Sequence, residues 1–252
     1  MTDYTIVNEF TLPSQGLVYN KEINPRVKLR SMTTAEEMKR LNHSERPYRL
    51  MAEVINDCIV DNTGIDAYDL CIPDYQFLLH KLRIVTYGID YKSSSKCPYC
   101  GTDNTHVINL DSDLKLEPFT KDIFDKYSNI TLPSTKKNIK LKMQSPRILD
   151  DITIRSKEIR KLYPDYVGDP AFLLTLQNLT ETIDGKEYRD YELDPFFRKL
   201  PMMDTNYIIK AAQKLNNSFG LDNIVEHTCS FCGLDYKSSF RITSEFFGPS
   251  ID

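Results

Sequence analysis

Cys97, Cys100, Cys229 and Cys232 form two Cys-x-x-Cys-Gly blocks with the spacing of metal ligands. Two residues between cysteines let a tight turn bring both sulfurs to one cation, and the glycine that follows tolerates a left-handed backbone. Four thiolates make the closed tetrahedral set that structural zinc prefers, with Zn–S of about 2.3 Å and no position left for a catalytic water. The pattern therefore predicts one structural zinc held by Cys97, Cys100, Cys229 and Cys232. Other readings use the same residues. Either block could be a thioredoxin-like redox pair, both could be degenerate knuckles without metal, or each could be completed separately by further ligands. His227, two residues before Cys229, is a candidate for the last case, although a histidine bordering its strand is the plainer reading.

The gap between the blocks is long, because 129 positions separate Cys100 from Cys229. An internal duplication accounts for it. Phe10-Thr11-Leu12-Pro13-Ser14 returns as Ile130-Thr131-Leu132-Pro133-Ser134, and Val27-Lys28-Leu29-Arg30 returns as Ile139-Lys140-Leu141-Lys142. Gly88-Ile89-Asp90 and Gly220-Leu221-Asp222 both stand nine residues before a knuckle, at the same offset of 132 as the cysteines. That offset continues into Val107-Ile108-Asn109-Leu110 against Ser239-Phe240-Arg241-Ile242, with Leu114 on Phe246. Residues 1–118 read as a first repeat bearing Cys97 and Cys100, and residues 119–252 as a second bearing Cys229 and Cys232. Two facing repeats could each give one knuckle to a shared ion, since loop-closure cost rises only logarithmically with length.

The elements needed to position such a site follow from patterning. Alternation around Val27–Ser31 and Ile139–Met143 predicts half-buried strands. Thr33 or Thr34, with Glu36 or Glu37 three residues on, predicts a capped helix. Further helices are expected over residues 48–60 and 73–87 in the first repeat, and over 148–162, 170–180 and 204–219 in the second. Gly88 and Gly220 are placed to stop theirs in the left-handed conformation. Residues 181–203, with Gly185 and Pro195, read as a loop or hairpin insertion, and 121–127 as a short helix near the repeat boundary. The expected fold is α+β: two similar halves, each a β-hairpin, helices and a knuckle-bearing strand pair, joined by a shared four-cysteine zinc-ribbon-like site.

Composition narrows the function. The chain has 32 basic and 36 acidic residues, so it lacks the cationic excess that phosphate-backbone binding draws on. No apolar run is long enough for a bilayer, and the start, with Asp3 and Glu9, does not read as a secretory signal. Phosphate-loop, dinucleotide, zinc-protease and serine-elbow motifs are absent, so the expectation is no enzyme. Cys58 and Cys71 lie in apolar contexts and read as core thiols, and His43, His80 and His106 have no ligand spacing around them. Asp150-Asp151 reads as part of a solvated helix face.

The opening Phe10–Tyr19, then Val27–Thr33 and Glu36-Glu37, resembles the baseplate hub and hub-assembly proteins of T4-like contractile-tailed phages, as does Phe246-Phe247 after a Cys-x-x-Cys-Gly knuckle. The resemblance implies a structural or assembly component of the tail baseplate, contacting other tail proteins in the host cytoplasm during assembly or in the virion, and catalysing nothing. The rival is a zinc-ribbon accessory factor of nucleic-acid metabolism, against which the acidic balance argues.

Overall fold

The computed structural model describes residues 5–240, 242 and 244–248, so the expectations for Asp3 and Arg241 lie outside the described residues. β1 (Val7–Thr11) runs antiparallel to β2 (Arg26–Arg30), with Phe10 opposite Val27. Val27 and Leu29 are fully buried while Lys28 between them stays half-exposed, the period-two outcome of alternation. Thr33 then caps α1 (Thr34–Arg40), and the Glu36 carboxylate closes the capping box by accepting from the Thr33 amide at 2.7 Å. α2 (Pro47–Cys58), a 3-10 turn (Ala67–Asp69) and α3 (Ile72–Tyr87) follow, and β3 (Asp90–Lys96) pairs with β4 (Asp103–Asn109). Gly88 ends α3 with φ +90° and ψ 177°, so it takes an extended, glycine-only conformation and not the left-handed helical one expected.

After the short β5 (Leu116–Glu117) and α4 (Lys121–Ser128), the second stretch of chain runs through β6 (Asn129–Thr131), β7 (Asn138–Leu141), α5 (Pro146–Leu162) and α6 (Pro170–Leu179). The segment expected as a loop or hairpin begins as β8 (Thr180–Ile183), a third strand beside β7, and turns tightly with Ile183 bridged to Lys186. Then, where no helix was expected, it forms α7 (Asp190–Arg198). The helix forms despite Pro195 because Leu193 and Phe197 bury one face in the core, with Leu200 just beyond its end buried beside them. α8 (Met202–Asn216) starts and ends slightly earlier than expected. Gly220 does not stop it but opens β9 (Gly220–Leu221), which pairs with β5. There its φ is +99°, and a Cβ would stand 2.9 Å from the Pro73 Cβ. β10 (Ile224–Thr228) pairs with β11 (Asp235–Ser239), and a 3-10 turn (Ser244–Phe247) closes the described chain.

The result is a mixed α+β protein with small antiparallel sheets of two or three strands. Its apolar interior falls into two clusters. One gathers Leu12, Val27, Leu29, Ile55 and Leu82 with Val225, Phe240 and Phe246 from the last stretch of chain. The other gathers Leu132, Ile139, Leu141, Leu179, Phe197 and Leu215. Each opening Leu-Pro-Ser turn is tied down by the third residue of a later helix. Asp74 of α3 accepts from the Ser14 amide at 2.9 Å and the Tyr19 hydroxyl at 2.7 Å. Asp204 of α8 accepts from the Ser134 and Thr135 amides at 2.7 and 2.9 Å.

Between the clusters, α5 packs on α2 through a seam that includes Asp150. This carboxylate is 1% exposed, which corrects its reading as part of a solvated face. It accepts from the Arg49 amide at 2.9 Å and the Tyr68 hydroxyl at 3.0 Å. Its neighbour Asp151 is half-exposed and pairs with Arg46 at 2.6 Å.

Cys58 and Cys71 are buried thiols, in line with their apolar contexts. His80 is 1% exposed, with its ring against Phe240 and Phe246 and its Nε2 without a hydrogen-bond partner. Burial pushes its imidazolium down to about 4 from an ordinary 6.5. The folded protein thus binds this proton less readily than the unfolded chain does. The stability that neutral His80 contributes is intact above about pH 6.5 and is lost as pH falls towards 4, at about 1.4 kcal/mol per pH unit. A His80→Leu variant should show a shallower fall in melting midpoint between pH 6.5 and 4. Matching slopes for the variant and the parent would refute this.

Candidate metal centre

Each cysteine block closes the tip of a two-stranded hairpin. In the β3–β4 hairpin the Gly101 amide donates to the Cys97 carbonyl at 3.0 Å, and the Cys97 amide donates to the Thr102 carbonyl at 2.9 Å. In the β10–β11 hairpin, Gly233 donates to Cys229 and Cys229 to Leu234, both at 3.0 Å. The turns require φ of +75° at Gly101 and +71° at Gly233, which is why glycine follows each second cysteine. Nothing lies within 4 Å of a Cβ added at either position, so the backbone angle alone is the constraint.

The two tips meet. Cys97 Sγ lies 3.8 Å from Cys232 Sγ, Cys100 Sγ lies 3.6 Å from Cys229 Sγ, and all four sulfurs fall within 4.8 Å of one another. A disulfide needs about 2.05 Å, so these are free thiols. A tetrahedron with metal–sulfur bonds of about 2.3 Å has edges of about 3.8 Å, the separation seen between the hairpins. Cys97 and Cys229 are buried, Cys232 is half-buried and Cys100 is exposed. The cluster can therefore hold a single metal ion with sulfur on every side, and such a set leaves no vertex for a substrate or water.

Neighbouring hydrogen-bond donors favour negative sulfur at Cys229 and Cys100. Backbone amides of Cys232 and Phe231 pull the Cys229 thiol down to about 6. The Thr102 hydroxyl and amide pull Cys100 down as well. Cys232, although its sulfur accepts from the Leu234 amide, is pushed up to about 12 by burial and by its three neighbouring thiols. Crowded thiols resist sharing negative charge, and a divalent cation at their centre would remove that conflict.

Residues that sequence reasoning passes over lock the hairpins together. Asn104, 3% exposed, accepts from the Ser230 amide at 2.9 Å and from its hydroxyl at 2.8 Å, and aims its own amide at Cys229 Sγ, 3.6 Å away. Tyr236 shares hydrogen bonds with Ser95 at 2.7 Å and His106 at 3.0 Å. The one available signal is the offset of 132, which places Asn104 and Tyr236 at matching positions of the two hairpins. His227 stacks on His106 with centroids 4.0 Å apart and pairs Nε2 with Ser238 at 2.8 Å, so it borders the site from β10 and is not one of the clustered ligand candidates. Burial, and then the adjacent His106, lower its pKa.

Fold and site together define a mixed α+β protein whose β3–β4 and β10–β11 hairpins converge on a four-thiol cluster. The model of the T4 bacteriophage base plate protein family matches residues 4–248, nearly the whole chain, and the chain belongs to that family. No match is found among curated proteins or among solved structures. Membership makes this a phage baseplate structural protein, whose setting is the virion tail among other baseplate proteins. Among the described residues no helix is long and apolar enough to cross a membrane.

Proposed function

We propose that the chain is a non-enzymatic structural or assembly component of the baseplate hub region, clamped by one structural zinc at Cys97, Cys100, Cys229 and Cys232. The observation that carries the reading is the convergence of two sulfur pairs from hairpins 132 residues apart, at separations that suit a tetrahedral ion. Zinc is favoured over other cations because four thiolates in a closed set suit it, and an all-sulfur shell disfavours calcium and magnesium. The hub assignment rests on the resemblance of the Leu-Pro-Ser opening together with the family match.

The clamp joins two related repeats, residues 1–118 and 119–252. Several pairings support a duplication beyond the sequence blocks. Asp74 and Asp204 do the same work for their Leu-Pro-Ser turns. Leu29 bridges to Ile59 just after α2, as the matching Leu141 pairs with Thr180 just after α6. The zinc fixes how the halves sit, and the assembled surface acts by docking to other tail proteins, first in the host cytoplasm and then in the particle. A mass-spectrometric inventory of purified baseplates, with zinc analysis of the isolated chain, tests this. One zinc per chain and presence in the particle or an assembly intermediate are expected. A native chain free of metal, with its sulfurs open to alkylation, would overturn the clamp.

A further inference from the structure

The two knuckle tips carry features that metal binding does not require. Tyr99 is 64% exposed and Phe231 is 77% exposed, and Leu234 beside the second tip is 50% exposed. Tyr99 and Phe231 hold the same position, between the two cysteines of each block. A turn that places two sulfurs on an ion makes no demand for an aromatic there, and aromatic rings exposed together on two converging tips are a feature of interaction sites. Each ring is one residue from a clustered cysteine, so both tips fall within one footprint of ordinary interface size.

Charge gives the surface a sign. Residues 97–102 and 229–234 include no charged side chain. Lys96 and Asp103 face one another across β3 and β4, while Asp235 lies opposite the neutral Thr228. Four thiolates around a divalent ion carry a net charge of about −2. The tips thus combine exposed aromatics, a charge-free contact face and an anionic centre just beneath it. Aromatic-rich, charge-depleted surfaces are what interface cores use, and a metal-tied turn is already ordered before it binds.

The geometry points to the paired knuckle tips as a docking surface for another baseplate protein, one that offers an apolar socket rimmed by lysine or arginine. This rests on the zinc reading, because the metal supplies both the rigidity and the negative charge. The rings are the anchors, and the cationic rim answers the tetrathiolate centre.

The test places p-benzoylphenylalanine at position 99 or 231, assembles baseplates with the labelled chain, irradiates them and sequences the cross-linked peptides. Cross-links to a different baseplate protein, in an apolar segment flanked by lysine or arginine, are expected. A Tyr99→Ala/Phe231→Ala chain should keep one zinc and the parent melting midpoint, yet enter baseplates roughly tenfold less efficiently or worse. Normal entry of that chain, cross-links only to a second copy of itself, or none in baseplates that contain it, would overturn the docking proposal while leaving the zinc clamp standing. A parent chain without zinc would instead sink the clamp, and the zinc content of each preparation separates the two failures.

Discussion

A chain carrying Cys229→Ser should bind little or no zinc, and its two hairpins should come apart. Structural zinc is worth about 10–16 kcal/mol of apparent binding energy in small metal-dependent domains, against a total stability of about 5–15 kcal/mol for an ordinary protein. The loss here should be partial in its reach, because the apolar interior falls into two clusters away from the cysteines and the β10–β11 hairpin rests on the first of them through Val225 and Phe240. The expected picture is a chain that keeps most of its helical signal, loses amide protection in β3, β4, β10 and β11, and becomes poorly soluble as Tyr236 and the knuckle interior are exposed. Cys97→Ser should act alike, since both residues are buried at the centre. Cys58→Ser, remote from the cluster, should leave the zinc content unchanged. Hydrogen exchange and metal analysis on the three variants check this. Full hairpin protection in a zinc-free Cys229→Ser chain would show that Asn104, Tyr236 and the histidine stack hold the tips without metal.

The cysteine cluster is legible in the sequence because a single offset recurs through the glycines, the ligands and the strands after them. The capping box at Thr33 is legible for a different reason: its chemistry is local, complete within a few residues. Residues 181–203 mislead because Gly185 and Pro195 speak locally for a loop, whereas the burial of Leu193 and Phe197 that makes α7 depends on a core built from distant strands. Gly220 reads as a helix stop by analogy with Gly88. Its constraints are a φ of +99° inside β9 and the close approach of Pro73, a residue 147 positions earlier, which no local pattern records. Asn104 and Tyr236 escape a sequence reading in the same way. Each makes its decisive bonds on the other hairpin, Asn104 to Ser230 and Tyr236 to Ser95, which no pattern within either stretch records.

Asp150 is the sharpest case of a residue whose role lies across the fold, and its replacement should cost about 3–4 kcal/mol, from two lost acceptor contacts at a buried site. α2 begins after Arg46, which makes no side-chain cap, and Pro47 removes only one of the amides that need an acceptor. The carboxylate comes from α5 instead. It accepts from the Arg49 amide, reaches the Tyr48 amide at 3.5 Å, and takes the Tyr68 hydroxyl as well. A negative group also suits the positive end of the α2 dipole. Asp150→Ala leaves a helix amide and a tyrosine hydroxyl without an acceptor at a site closed to water, and each such loss costs about 1–3 kcal/mol. Asp150→Asn keeps an acceptor and gives up the charge, so it should cost about half as much. Asp151→Ala breaks only the half-exposed pair with Arg46 and should cost less than about 1 kcal/mol. Urea unfolding of the three variants should rank them in that order, and equal losses at 150 and 151 would return Asp150 to the surface role its sequence suggests. Because α2 lies in the first half and α5 in the second, Asp150→Ala should also raise exchange at the start of α2 while the knuckle hairpins stay protected. The seam and the metal cluster would then be separate fastenings, and loss of either should loosen the halves without releasing the other.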